Sequence, residues 1–300
     1  MDIGKKIKEL RCAKLMTQAE LAGDEITRNM LSRIENGAAL PSIGTVIYLA
    51  ERLGVHPGLL LADGDDDLVF LKSNSLRNIK KAFLDKNYEL CRDMCLELLR
   101  YGDDDEVYLI LTEATFEYAQ IKLLEGKLHK CKKLLDDALE YANNTVYNTQ
   151  LIANCVKSLF FHIRGISLSL DSDSIDCQRL DENTKGISQA NELCRYINLL
   201  YSFNHSDKKV DIEDRTIYGF NSELYNIHIK AKSHMQNNNY EEALELLLSI
   251  VNYKGIPPLF VVYLASLDIE ICARELNDYK TAYGCSVNRI SLLETMLSEV

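Results

Sequence analysis

The stretch Thr17 to Gly37, TQAELAGDEITRNMLSRIENG, is punctuated so tightly that it suits little besides two short helices joined by a sharp turn. Thr17 and Glu20 stand at capping-box spacing, where a hydroxyl and a carboxylate satisfy orphan backbone donors at a helix start. Gly23 breaks the chain direction and Thr27 is placed to cap a second helix. Leu31 and Ile34 give that helix an inward side, and Gly37 stops it.

The flanks extend this into one small helical domain. Ile3 to Lys14 carries Ile7, Leu10 and Lys14 at helical spacing, with Lys5, Lys6, Lys8 and Arg11 on the wetter sides. Pro41-Ser42 opens a fourth helix with Ile43, Val46, Ile47, Ala50 and Leu53 inward, closed by Gly54, and Pro57 starts a fifth. The domain covers residues 1–62.

Here the chain resembles the Xre/Cro family of helix-turn-helix repressors. Gln18 stands at the start of the second helix, and Ser32-Arg33-Ile34-Glu35-Asn36-Gly37 matches the family's S-x-I-E-x-G ending of the third. The resemblance implies that the third helix enters the major groove of double-stranded DNA. Arg28, Asn29, Ser32 and Arg33 match the base-reading positions; Gln18, Thr27 and Asn36 match the phosphate-contacting ones. It also implies that Glu35 is structural and pairs with Arg11. Two readings stay open for Arg33, a base contact or an ion pair on its own helix, and Lys5, Lys6 and Lys8 read equally as a solvated face.

Charge separates this end from the rest. Residues 1–62 carry a net charge of +1, against −12 for the remainder, so only the N-terminal part suits a polyanion. Residues 63–67, within ADGDDD, read as an acidic hinge. The remainder, 68–300, shows helical periodicity without strand alternation, a phosphate loop or an apolar run able to span a membrane. The fold class expected is all-α.

Within 68–300 a repeat recurs at helix-turn-helix junctions, a large residue followed three positions later by a small one. The pairs are Tyr88 and Cys91, Leu128 and Cys131, Tyr240 and Ala243, Tyr279 and Ala282. Helices are expected over 68–84, 88–101, 105–125, 128–142, 146–170, 178–203, 216–237, 240–253, 257–276 and 279–298, with loops at 171–176 and 204–215. The spacing resembles divergent tetratricopeptide repeats, in which the small residue lets paired helices approach closely. Such an array presents a concave groove suited to peptides. Counting back from the junctions places Glu113, Phe116, Gln120, Tyr225, His228 and Lys232 on its lining. Asn154 and Lys157 are candidates from the less regular middle, and for any single one of these residues an ordinary surface position stays open.

The two halves together resemble the Rgg/PlcR-type peptide-pheromone receptors of Gram-positive bacteria. That resemblance implies a homodimer on a palindromic operator, switched by a short signalling peptide in quorum sensing. Two alternatives stay open: a regulator sensing a partner protein or a small metabolite, and a helical-repeat adaptor that does not bind DNA.

The nine cysteines, with no apolar signal segment in MDIGKKIKEL, suit reduced thiols in a cytoplasmic protein. Cys91 and Cys95 lie four apart on one helix face, a spacing that serves a metal or redox pair as well as small buried residues; without a second such pair, burial is expected. The six histidines form no HExxH or nucleophile pattern. The chain is therefore expected to need no metal or cofactor, to be no enzyme and to have no membrane partner.

Overall fold

The structure is a computed structural model, and it describes residues 3–61, 67–164, 166, 191–205, 216–219 and 222–298. Residues 63–66 of the expected hinge, the loop at 171–176, Cys177 and the stretches 178–190 and 206–215 lie outside the described residues. All regular structure among the described residues is helical. They form two compact units, Met1–Val107 and Tyr108–Val300.

In the first unit α1 (Ile3–Ala13), α2 (Gln18–Ala22), α3 (Arg28–Glu35), α4 (Ile43–Leu53) and α5 (Pro57–Leu61) surround one core. The capping box forms, with the Glu20 amide donating to Thr17 Oγ1 at 3.2 Å and the Thr17 amide to Glu20 Oε2 at 2.7 Å. Ile7, Leu21, Leu31, Ile34, Val46, Leu49, Ala50, Leu53 and Leu60 are buried together. Burying each large side chain contributes about 1.5–3 kcal/mol, which holds these short helices where propensity alone would not.

Three expectations for this unit change. Ile43 and Ile47 face solvent at 74% and 43% exposure, because Val46, Leu49, Ala50 and Leu53 already fill the inner side of α4. Lys6, expected on the wet side, is 4% exposed, and its ammonium donates to the Leu59 carbonyl at 3.3 Å. The helical hairpin α6 (Asp67–Leu84) and α7 (Tyr88–Leu98), continued by a 3₁₀ turn at Leu99–Tyr101, belongs to this unit and not to the second.

The remaining helices are α8 (Asp105–Leu124), α9 (Leu128–Asn143), α10 (Gln150–Arg164), α11 (Glu192–His205), α12 (Ser222–Gln236), α13 (Tyr240–Val251), α14 (Leu259–Glu275) and α15 (Tyr279–Ser298). The four junctions share one turn. Two residues before each large residue the backbone is left-handed: Lys86 (φ 58°), Gly126 (φ 81°), Asn238 (φ 60°) and Asn277 (φ 58°). Each turn returns two amides to the preceding helix, as Asn277 to Arg274 and Asp278 to Ala273 do, which satisfies carbonyls left open at a helix end. Cys91, Cys131, Ala243 and Ala282 are buried just beyond, as the tetratricopeptide-like pattern requires. Gly126 is glycine for two reasons, its positive φ and the closeness of Met296 and Leu259 to where a Cβ would sit.

Two helices start later than their periodicity suggests. α10 begins at Gln150, where Asn148 Oδ1 accepts from the Gln150 amide at 3.0 Å, and not at 146. α12 begins at Ser222 because Asn226 holds the Ile217 N–H and carbonyl, both at 2.9 Å, so residues 216–219 run outside the helix.

Candidate nucleic-acid interface and ligand groove

The inner side of α3 is pinned. Leu31 and Ile34 enter the core, and Gly4 of α1 lies so close to the Ile34 carbonyl that any side chain there would collide with it. Glu35 turns inward and is gripped by Arg11, Nε to Oε1 at 2.6 Å and Nη2 to Oε2 at 3.0 Å, while Gln18 Nε2 donates to Oε2 at 2.7 Å. Burial would raise the Glu35 carboxyl, but the bonds from Arg11 and Gln18 and the charges of Arg11 and Lys8 prevail and hold it below the usual range. The carboxylate is thus ionised, neutralised and directed away from the outer face.

That outer face carries Arg28, Asn29 and Arg33, all exposed, with Ser32 half-buried between them. Thr27 caps the helix by accepting from the Met30 amide at 3.1 Å and stays exposed; Asn36 is exposed at the other end. Among the described residues no ion pair engages Arg28 or Arg33, so the own-helix pairing open for Arg33 is not made. Gln18 is half-buried with its amide directed to Glu35. α3 therefore offers guanidinium and amide donors on one side and no uncompensated carboxylate, a chemistry matched to base edges and phosphates.

In the second unit the residues expected on the groove divide in two. Glu113, Phe116 and Gln120 lie along one side of α8. Glu113 is half-buried, and burial pushes its carboxyl up. Gln120 is 7% exposed, and its amide nitrogen has no hydrogen-bond partner among the described residues. Asn154 is half-buried and accepts from Gln150 at 2.8 Å; Lys157 is exposed.

Tyr225, His228 and Lys232 differ from the expectation, being 0%, 0% and 4% exposed. They are drawn inward by partners the sequence reading missed. Tyr196 hydroxyl meets His228 Nδ1 at 2.6 Å, His228 Nε2 meets Asp268 Oδ2 at 2.9 Å, and Lys232 donates to Asp268 Oδ1 at 2.8 Å. The rings of Tyr196 and Tyr225 stack at 4.2 Å. Burial favours neutral Asp268, but the hydrogen bond from His228 and the charges of His228 and Lys232 outweigh it and lower its pKa. Burial also raises the Tyr196 phenol well above its usual value. The available signal was Asp268 itself, a carboxylate closing the apolar run FVVYLASL. Closed from solvent, the chain clamps α11, α12 and α14 together.

Cys91, Cys95, Cys131, Cys155, Cys194 and Cys272 are buried, Cys12 is exposed and Cys285 half-buried. Burial raises the Cys131 and Cys272 thiols, the latter to about 11, which keeps them protonated and unreactive. Among the described residues no cluster of three or more His, Cys, Asp or Glu could hold a metal ion, and no helix is long and apolar enough to cross a membrane.

The capped α2, the turn and the pinned α3 define a helix-turn-helix unit. Residues 7–60 match the helix-turn-helix family model, and the N-terminal domain is a helix-turn-helix of the DNA-binding Xre type. Among solved structures the chain is similar to PlcR of Bacillus thuringiensis in complex with the peptide PapR7 and DNA, at 15% identity over 99% of each chain with a TM-score of 0.22. It is also similar to the apo form of the competence regulator ComR from Streptococcus vestibularis, at 18% identity over 99% of this chain and 96% of that one with a TM-score of 0.20. No curated protein matches the chain.

Proposed function

We propose that the protein is a cytoplasmic, sequence-specific transcription regulator that binds a palindromic DNA operator as a homodimer and responds to a short signalling peptide held by its helical-repeat region. The observation that carries the DNA-binding part is the outer face of α3, where Arg28, Asn29 and Arg33 stand exposed while Glu35 is sequestered by Arg11 and Gln18. Arg28 and Arg33 suit guanine O6 and N7, and Asn29 suits adenine N6 and N7, each pair contributing roughly 1–3 kcal/mol of discrimination. Thr27, Asn36 and Gln18 suit phosphate, with Ser32 inside the base-reading row. A helix of this length reads few base pairs, so a two-fold repeat of the contact supplies the remaining specificity.

The peptide part is supported by α8. Gln120 holds a buried amide donor without a partner among the described residues, the state that a peptide carbonyl relieves, and Glu113 on the same side is a half-buried carboxylate that a basic group would neutralise. Phe116, Asn154 and Lys157 complete the proposed contacts. Tyr225, His228 and Lys232 are buried, the last two bound to Asp268, and are not among the proposed contacts.

The test is a fluorescence anisotropy titration of the full chain on its own upstream DNA, with and without a peptide extract of spent culture medium. Sequence-preferring binding that shifts with the extract is the expected result. Binding without sequence preference in both conditions would leave a helical-repeat adaptor as the better reading.

A further inference from the structure

The last helix, α15, has two unlike sides. Its inner side is seated through Ala282 and Met296, 6% and 1% exposed, and through the ion pair of Arg289 with Glu270 on α14 at 3.0 Å. Its outer side leaves large apolar groups in water: Tyr283 is 74% exposed, Val287 47% and Ile290 51%. Scattered single apolar residues need no explanation, but three within two turns on one helix face form a contiguous stripe of the kind that marks an interaction site.

The charges at the ends of the stripe say what fits it. Lys280 lies two turns before Val287 and Glu294 two turns after it, all three exposed and within roughly 20–40° of one another around the helix. A second copy of this helix, packed antiparallel about a two-fold axis at Val287, places Lys280 opposite the second copy's Glu294 and the reverse. In the same register Tyr283 lies beside the second copy's Ile290 on one flank, twice by symmetry, with the two Val287 side chains at the centre. Gly284, on the other flank, has open space around it and no side chain to hold the helices apart. The surface is self-complementary in charge and in shape, which a two-fold interface requires.

We infer that the outer face of α15 is the dimer interface of this protein, its occupant being the same face of a second copy, antiparallel about Val287. This rests on the homodimer reading above and assigns it a place. A single helix pair buries less than the roughly 800 Å² per partner of a standard interface, so the dimer should be concentration-dependent.

The test is sedimentation velocity on the full chain over a concentration series, with far-ultraviolet circular dichroism to confirm helix content in each variant. Wild type is expected to pass from monomer to dimer. Val287→Arg should be monomeric throughout, and Lys280→Glu or Glu294→Lys should each weaken the dimer about fivefold or more, since reversal turns two attractions into repulsions. Lys280→Glu with Glu294→Lys should restore wild-type association, which a nonspecific loss of stability would not do. A dimer undiminished by Val287→Arg would overturn the assignment of the interface while leaving dimerisation intact. A wild type monomeric at every concentration would overturn both, and leave the stripe to a different protein.

Discussion

Arg11 on α1 and Glu35 at the end of α3 hold each other through two hydrogen bonds, 2.6 and 3.0 Å long, across 24 residues of sequence. Arg11 also donates to the Met16 carbonyl at 2.8 Å, so one guanidinium fixes the base of α3, the end of α1 and the approach to α2. The pair does more than brace the domain. By turning a carboxylate inward and neutralising it, it leaves α3 with no outward carboxylate to oppose phosphate.

Arg11→Ala strands a carboxylate that is nearly closed from water. Removing the charged partner of a buried pair costs about 3–5 kcal/mol, because the charge left behind keeps only the neutral Gln18 amide to offset its desolvation. Chemical denaturation of the variant should show that loss in the transition of the N-terminal unit, and a loss below about 1 kcal/mol would mean that Glu35 finds water or another donor.

Arg28→Ala should relax the preference for particular bases as well as weaken binding, whereas Gln18→Ala should weaken binding to all DNA sequences alike. Gln18 also donates to Glu35, so its variant should carry a modest stability loss of about 1 kcal/mol that Arg28→Ala lacks. Competition titrations against operator and scrambled duplexes separate the two, and equal, uniform losses would remove Arg28 from the readers.

Asp268 is ionised between His228 and Lys232, with its pKa held below the ordinary 3.8. A carboxyl lowered on folding stabilises the native state above its unfolded pKa, and that contribution fades as pH falls through the lowered folded value. Asp268→Asn should remove this acid-side slope and leave Lys232 buried without a counter-charge, a loss of about 3 kcal/mol at neutral pH. Thermal unfolding of wild type and variant from about pH 2 to pH 7 checks both, and an unchanged slope would show that the chain is not coupled to folding.

Glu113 carries the opposite sign. Burial raises its carboxyl without a described partner, so ionisation opposes folding and stability should rise as pH falls through its raised pKa. Glu113→Gln should raise the melting temperature by about 1–3 °C, the effect being discounted for the part of the side chain that still faces water. The same variant should weaken the response to a basic peptide. A gain in stability with no change in that response would confine Glu113 to the scaffold.

The parts of this protein legible from its residues alone are the local ones. A capping box, a glycine after a short apolar helix, or a large residue followed three positions later by a small one acts within a single turn. Such signals placed α2, α3 and the four hairpin junctions without knowledge of any distant segment. The Arg11 to Glu35 pair was legible only through resemblance to a family. What the residues alone did not decide was which helix faces other helices would cover. Periodicity groups Ile43 and Ile47 with Val46 and Ala50, yet the core takes one pair and leaves the other in water. The same spacing that suggested Tyr225, His228 and Lys232 for a groove says nothing of Asp268, which lies 36 positions from Lys232 and draws that side chain and His228 inward. Turn chemistry is settled by neighbours in the chain, whereas burial of a charge depends on a counter-charge that only tertiary packing brings within hydrogen-bonding distance.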